Sequence, residues 1–160
     1  MSARYDELLT GLARHLGLPD PDSLLRTQEL VVDGQRLGFA FEPLDANEPE
    51  TGDLVCFAVL GKPQAAVEAR VHRLLLEGNN LWAGTGGATL GVQRDSGAVV
   101  LAVRMPVEAL SAESLADDLD GFLAVAGFWR AVVADEIDGL HAPAGQPAAA
   151  GAPFSFDQRA

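Results

Sequence analysis

The sequence predicts an α+β protein with the element order α-β-β-β-α-β-β-α, in which three helices pack on a mostly antiparallel, twisted sheet of five strands. Three stretches carry apolar residues at steps of three and four, the period of an amphipathic helix. Five shorter stretches carry them alternately or continuously, as strands do. Asp33-Gly34 and a turn at residues 95–97 each separate two of these strands, which predicts two hairpins.

Length and charge limit the possible functions. The chain has 160 residues, 48% of them hydrophobic, which suits one domain with a substantial core. We place this domain at residues 1–134 and expect the Ala-, Pro- and Gly-rich residues 135–160 to form a disordered tail. The net charge of −12 argues against nucleic acid or an anionic membrane as a partner, because both attract basic surfaces.

The cysteine content and the N-terminus indicate a compartment. Cys56 is the single cysteine, so the sequence predicts no disulfide and a reducing environment. The N-terminus lacks the apolar stretch of a secretory signal, and no apolar run reaches the length of a membrane span. We therefore expect a cytoplasmic protein.

The first part of the chain predicts a helix and a hairpin. Apolar residues including Leu12 and Leu16 mark one face of the first helix, and a Pro- and Asp-containing connection follows it. In the second strand, Leu37, Phe39 and Phe41 share one face because side chains alternate along a strand. The hairpin between the first two strands turns at residues 33–34.

The middle of the chain predicts an acidic loop, a strand and a helix. Residues 43–52 are interpreted as a solvated loop, since their carboxylates lack the spacing of a calcium-binding loop. The third strand, residues 53–60, is apolar on both faces, and Cys56 within it serves as a small apolar side chain. A second helix is expected to begin near Pro63. Its apolar stripe comprises Val67, Val71, Leu74, Leu75 and Gly78.

The glycine-rich stretch at residues 79–91 joins this helix to the fourth strand. Asn79 and Asn80 tolerate the left-handed conformation that ends helices. The glycine spacing fits neither a dinucleotide fingerprint nor a Walker loop, and phosphate loops run from strand to helix, the reverse of the order here. We interpret the stretch as structural, with small residues that let another backbone come close.

The last part of the chain predicts a second hairpin and a third helix. Its later strand, at residues 99–103, is again apolar on both sides, and Ser111 can cap the helix that follows. Two doubly apolar strands leave more apolar sheet surface than three helices readily cover. A second copy of the chain or a partner polypeptide would shield the remainder.

No catalytic, metal or cofactor site emerges from the sequence. Three scattered histidines show no ligand spacing, and no triad or catalytic carboxylate pair is present. The acidic residues near the start of the third helix are interpreted as a solvated face. The sequence therefore predicts a binding protein that is not an enzyme and needs no cofactor.

The run Asn80-Leu81-Trp82 through residues 85–91, Thr-Gly-Gly-Ala-Thr-Leu-Gly, resembles the class I type III secretion chaperones of the CesT/Tir-chaperone family. The order of elements, the Arg-Met-Pro at residues 104–106 and the Phe-Trp-Arg at 128–130 agree with the resemblance, which covers roughly residues 3–134. It implies a homodimeric bacterial virulence chaperone of the cytoplasm without ATPase activity. Such a chaperone binds the N-terminal segment of a secreted effector, keeps it extended and delivers it to the secretion apparatus.

The resemblance also implies two surfaces. The family's dimer interface falls on the second helix and the strand after it, which here assigns Val71, Leu74, Leu75, Trp82, Gly86, Thr89 and Leu90 to that interface. Effector segments in the family wrap over the sheet and first helix, partly by adding a strand, which assigns Leu12, Leu16, Leu37, Phe39 and Phe41 to effector binding. A YbjN-like α+β module that binds another bacterial protein is the alternative interpretation.

Overall fold

The structure, a computed structural model, describes residues 2–45 and 47–137. The expected disordered tail lies outside the described residues except for residues 135–137, so the boundary at residue 134 and the state of the tail stay predictions. The helices are α1 Ala3–His15, α2 Pro21–Thr27, α3 Glu68–Asn79 and α4 Ala112–Val133, with single 3-10 turns at Asn80–Trp82 and Val107–Ala109. The strands are β1 Glu29–Val32, β2 Gln35–Asp45, β3 Glu48–Gly61, β4 Thr89–Val92 and β5 Val99–Pro106.

The predicted α+β fold is confirmed. The five strands form one antiparallel sheet in the order β1-β2-β3-β5-β4, so β1 and β4 are its edges. Asp33 and Gly34 join β1 to β2 with φ angles of 50° and 79°, the backbone of a two-residue hairpin turn. Ser111 caps α4: its side chain accepts a hydrogen bond from the backbone N–H of Ser114, whose side chain accepts one from the N–H of Ser111.

The structure corrects three local predictions. The connection after α1 contains a fourth helix, α2, which Asp20 caps and Pro21 begins. Residues 43–52 are not mainly a loop, because β2 and β3 continue through them as a long hairpin that turns near Asn47. The next helix, α3, begins at Glu68, five positions after the proline at which we expected it to begin.

One face of the sheet is covered by helices. α1 and α4 pack on β3, and α3 packs beside β4. The side chains that they bury on the strands include Leu37, Phe39, Leu54, Cys56, Ala58, Val99 and Leu101, all at most 3% exposed. The predicted packing stripe of α4 is confirmed, since Leu115, Leu119, Phe122, Ala126, Trp129 and Val133 are all buried.

The opposite face of the sheet, the open face, keeps much of its apolar surface. It comprises Gly38, Ala40, Val55, Phe57, Val59, Val100 and Ala102, which the strand register places in adjacent rows. Phe57 and Val100 are half-buried, and Val59 is 47% exposed. Gly38 lies directly under the Phe57 ring, because a Cβ at residue 38 would sit 2.2 Å from the ring carbon Cζ. The sequence inference of excess apolar sheet surface therefore holds for the single chain.

Candidate functional site

The glycine-rich stretch folds into a tight connection between α3 and β4. Its left-handed residues are Leu81 and Trp82, with φ angles of 52° and 54°, and not the Asn79 and Asn80 of the prediction. Gly86 and Gly87 also have positive φ angles, which glycine adopts without steric cost. Two consecutive left-handed residues with large side chains are strained and need support from their surroundings.

The backbone that comes close to this stretch belongs to the same chain. Trp129 of α4 donates a 2.8 Å hydrogen bond from Nε1 to the carbonyl oxygen of Gly84. A Cβ on Gly78 would lie 2.3 Å from Cζ2 of Trp129, and a Cβ on Gly84 would lie 3.0 Å from Cα of Gly78. The small residues thus serve packing between α3, this stretch and α4. This packing needs no second copy of the chain.

Asn79 fixes the start of β4. Its side-chain Nδ2 donates to the carbonyl oxygen of Leu90 at 2.9 Å, and its Oδ1 accepts from the backbone N–H of Leu90 at 2.9 Å. The side-chain amide therefore satisfies both peptide groups of one strand residue, as a neighbouring strand would.

Three apolar side chains project from the segment at residues 76–82. Leu76 is 73% exposed, Leu81 is 83% exposed and Trp82 is 50% exposed. Leu81 and Trp82 are also the two residues of this segment with left-handed backbone. Exposed apolar residues that are clustered mark interaction surfaces more often than scattered ones do.

The predicted dimer residues divide into two groups. Trp82, Gly86 and Thr89 lie at the surface of the single chain. Val71, Leu74, Leu75 and Leu90 are at most 9% exposed and belong to its hydrophobic core. The interface assignment stays a prediction, and within it the buried residues could act only by holding α3 and β4 in place.

The predicted effector-binding residues also divide. Leu12, Leu37 and Phe39 are at most 3% exposed and sit in the core, whereas Leu16 is 41% exposed and Phe41 is half-buried. Surface for a partner therefore exists at Leu16 and Phe41. Assignment of these five residues to effector binding stays a prediction.

Tyr5 connects α1 to Phe41 of β2. Its ring packs against Phe41 with the ring centroids 5.5 Å apart. Burial, and secondarily the carboxylate of Asp6, raise the pKa of Tyr5 to about 12, so its hydroxyl stays neutral. Burial likewise raises the pKa of the Cys56 thiol to about 12, which fits the predicted role of Cys56 as an apolar side chain.

Ion pairs border the open face. Arg104 forms an ion pair with Glu42, and its Nε lies 3.9 Å from an oxygen of Asp53. Nearer the hairpin turn, Arg36 pairs with Glu29 at 2.6 Å. An apolar centre with a charged border is the usual composition of a protein-binding surface.

The described ranges contain no group of three or more side chains that could hold a metal ion. Within these ranges, no helix has the length and apolar character needed to cross a membrane. The structure has three exposed features to which another molecule could bind: the open face, the segment at residues 76–82 and the free edge of β1.

The fold is that of a small α+β protein with exposed apolar surface on one face of its sheet and in the segment at residues 76–82. Residues 7–130 match the Tir chaperone protein (CesT) family, and the chain belongs to that family. The sequence resemblance to the class I type III secretion chaperones is thereby confirmed. No curated protein sequence matches the chain.

Solved structures share the fold. A chain of the ExsC-ExsE complex superposes with a TM-score of 0.59 at 21% identity, covering 84% of this chain and 98% of that one. A chain of the HopA1-SchA chaperone-effector complex gives a TM-score of 0.57 at 21% identity, covering 79% of this chain and 93% of that one. A chain of the ExoT-SpcS complex from Pseudomonas aeruginosa gives a TM-score of 0.56 at 21% identity, covering 80% of this chain and 98% of that one.

Sequence reasoning did not select Leu76, Leu81, Val31 or Val59 as surface residues, although all four are between 47% and 83% exposed. For Leu76 a signal was present, because it falls outside the apolar stripe of its helix. For Leu81 there was none, since the left-handed backbone that exposes it depends on distant contacts.

Proposed function

We propose that the protein is a cytoplasmic type III secretion chaperone that binds the N-terminal segment of a secreted effector and keeps it extended until delivery to the secretion apparatus. The observation that carries the proposal is the apolar open face and free sheet edge on a member of the CesT family. An extended segment can pair with a sheet edge through its backbone while its side chains cover apolar surface. The chain acts by binding and is not an enzyme.

Effector binding is assigned to the surface that includes Leu16 and Phe41, supported from below by Leu12, Leu37 and Phe39. Leu16→Asp should weaken effector binding and leave the melting temperature nearly unchanged, because its side chain is already 41% exposed. Leu12→Asp should unfold the chain, since it buries a charge in the core. If Leu16→Asp binds its effector as wild type does, this part of the assignment is wrong.

The working form is proposed to be a homodimer that meets through the segment at residues 76–82 and the start of β4. Leu81→Asn is a sharp test, because Asn tolerates the left-handed backbone better than Leu and removes exposed apolar surface. The variant should stay folded and shift toward the monomer in light scattering. Leu44→Asn, at another exposed leucine, 68% against 83% for Leu81, is the control on β2 and should leave the oligomeric state unchanged. A wild-type particle of 16.8 kDa at micromolar concentration would rule out the dimer.

The class of partner is tested by purifying the chain from its native organism and identifying the bound proteins by mass spectrometry. The proposal expects the N-terminal segment of a secreted protein, resistant to wash and lost from the Leu16→Asp variant. A folded cytoplasmic partner bound in its place, with no secreted protein present, would contradict the proposal.

A further inference from the structure

The open face carries an uncovered apolar row at one end of the sheet. Val59 of β3 lies opposite Val100 of β5, and Gly91 of β4 follows Val100 in the same row. The Phe57 ring leans toward β2 over Gly38, away from β5, and leaves Val59 47% exposed and Val100 half-buried. No heavy atom lies within 4 Å of the position that a Cβ on Gly91 would take. The row therefore has room for an apolar side chain beside the Phe57 ring.

α4 brings the chain to the same end of the sheet. Val133, the last residue of α4, lies beside Gly61, the last residue of β3, because its Cγ1 is 3.8 Å from the Cβ position of Gly61. Val59 precedes Gly61 by two positions, which is about 7 Å along a strand. The end of α4 is thus close to the uncovered row, although α4 itself packs on the other face.

The connection after α4 is fixed to the domain. Asp135 has a φ angle of 62° and forms an ion pair with Arg70 of α3. The N–H of Glu136 donates a 2.9 Å hydrogen bond to the carbonyl oxygen of Ala131, which closes the helix end around the left-handed residue. The residues that follow therefore start from a defined point beside the end of β3.

The sequence beyond this point carries two aromatic residues after a spacer. Residues 142–153 contain only Ala, Gly, Pro and one Gln, and Phe154 and Phe156 follow them. A chain of about 17 residues, the separation of Phe154 from Ile137, spans about 23 Å as a coil and about 56 Å when fully extended. A sheet with its side chains is about 10 Å thick, so both rings can reach the uncovered row around the end of the sheet.

The spacing of the two aromatic residues matches the surface. In an extended segment, side chains two positions apart point to the same side and lie about 7 Å apart. Phe57 and Val59 have this separation on β3. One ring of the segment can therefore cover Val59 while the other meets the edge of Phe57, an aromatic contact that adds to the apolar one.

The charges at this end of the sheet also suit the segment. Lys62 and Arg94 are exposed, and neither forms an ion pair with a described residue, Asp95 of the adjacent turn included. Asp157 follows Phe156 directly. A segment that runs toward the end of the sheet brings its carboxylate beside these two cations, which favours that direction over the reverse.

We propose that residues 154–156 dock on the open face of their own chain, with Phe154 and Phe156 over Val59 and beside Phe57. A tether of this length gives a local concentration of about 1 mM, so a contact with a Kd near that value covers the face in about half of the molecules. The face is then shielded from chance contacts and stays available, because a partner that binds more tightly displaces the segment. The docking does not depend on the proposed function; only the competition with a partner rests on it.

The test uses the full chain with isotopically labelled methyl groups and a nitroxide attached to Gln158→Cys, in the Cys56→Ala background. The nitroxide should broaden the methyl signals of Val59 and Val100 several-fold more than those of Leu81, which is exposed elsewhere. Strongest broadening at Leu81, or equal broadening of all exposed methyl groups, would overturn the proposal.

A mixed sample separates contact within a chain from contact between chains. Chains that carry the nitroxide but no isotope are mixed with isotopically labelled chains that carry no nitroxide. The signals of Val59 and Val100 should stay sharp in this mixture. Broadening there would overturn the proposal, because the segment of a second copy would then be the occupant.

Two double variants test the aromatic residues. Phe154→Ser combined with Phe156→Ser should abolish the selective broadening at Val59. Ala148→Ser combined with Ala150→Ser, the matched control in the spacer, should retain it. Equal broadening in the two double variants would show that the rings do not hold the segment.

Two threonine variants test the surface. Val59→Thr keeps the shape of the side chain and removes apolar surface, so broadening at Val100 should fall several-fold. Val31→Thr, at a 59% exposed valine near the β1 edge of the same sheet, is the control and should leave it unchanged. An equal effect of both substitutions would place the segment elsewhere.

The competition is tested in the purification from the native organism. With the face free in all molecules and not in half of them, Phe154→Ser combined with Phe156→Ser should retain about twice as much secreted protein as wild type when that protein is limiting. Equal or smaller recovery would overturn the competition. The nitroxide experiments need no partner, so their failure is distinguishable from a failure to recover an effector.

Discussion

Trp129 and Gly84 are joined by a 2.8 Å hydrogen bond from the indole Nε1 to the carbonyl oxygen, which ties the last helix to the glycine-rich stretch. Trp129 is 4% exposed, so the bond is shielded from water. Through it, α4 contacts the connection that carries the exposed side chains of Leu81 and Trp82. A residue of the core thereby controls the shape of a surface.

Trp129→Phe should lower the free energy of unfolding by about 1–3 kcal/mol, because it leaves the Gly84 carbonyl without its donor and opens a small cavity. Hydrogen exchange in residues 79–91 should accelerate more than elsewhere. Urea denaturation measures the first effect. Trp82→Phe is the control at a half-exposed position, and an equal loss of stability in both variants would show that the Trp129 hydrogen bond is unimportant.

Gly78→Ala should destabilise the chain by about 1–3 kcal/mol, because the added methyl group would sit 2.3 Å from the Trp129 ring in a packed core. Gly127→Ala is the matched control in α4. No heavy atom lies within 4 Å of its Cβ position, so the helix should gain up to about 1 kcal/mol. Thermal melts of both variants check the prediction, which fails if Gly78→Ala is neutral.

The sequence predicted those features that depend on residues close to one another along the chain. Asp33-Gly34 specifies a hairpin turn by its own backbone preferences, and the stripe from Leu115 to Val133 specifies a buried helix face by its period. α2 was missed because its seven residues are too few for a clear period, and its start depends on the side chain of Asp20.

The candidate site was less predictable because its geometry comes from contacts distant in sequence. Leu81 has a left-handed backbone because the surrounding structure holds it there. A leucine in the sequence does not predict that conformation. Periodicity identified Leu37 and Phe39 as sharing one face but could not say whether that face meets helices or solvent. The structure shows that Leu37 and Phe39 meet helices and are buried, whereas Phe41 on the same face stays half-buried.

Cys56 should be unreactive in the native chain. Its pKa of about 12 leaves almost no thiolate at pH 8, and the residue is fully buried. A chromogenic disulfide reagent should therefore label it only at the rate of unfolding and promptly in urea. Rapid labelling of the native protein at pH 8 would contradict both the burial and the pKa.

Gly86→Val should weaken the proposed dimer. Gly86 has a φ of 60°, where an L side chain costs about 1–2 kcal/mol, and its Cβ would meet Val125 only at an ordinary 3.6 Å. The damage is therefore to the backbone of the connection that carries Trp82 and leads into β4. Gly86→Asn, which tolerates this backbone better, is the control. On dilution, light scattering should show the Gly86→Val dimer dissociating at a higher protein concentration than the Gly86→Asn dimer. If both variants dissociate at the same concentration, Gly86 does not belong to the interface.

The ion pair between Arg26 and Asp20 should make the stability of α2 depend on pH. The hydrogen bond from Arg26, 2.6 Å long, lowers the pKa of Asp20 below its ordinary value of 3.8. A carboxyl whose pKa is lower in the folded state stabilises the fold above pH 3.8, and this contribution is lost as the pH falls through the lowered pKa. Arg26→Gln should therefore melt slightly below wild type at neutral pH and together with it in strong acid.

The same substitution tests whether α2 supports the β1 edge. Arg26 precedes Thr27, whose Oγ1 accepts a 3.3 Å hydrogen bond from the backbone N–H of Glu29. A loosened α2 should therefore speed exchange of the Glu29 amide at neutral pH. Arg94→Gln is the control, because Arg94 is exposed and forms no ion pair in the part of the chain that the structure describes. If the melting temperatures of Arg26→Gln and wild type differ by the same amount at every pH, the substitution acts through packing and not through the charge of Asp20.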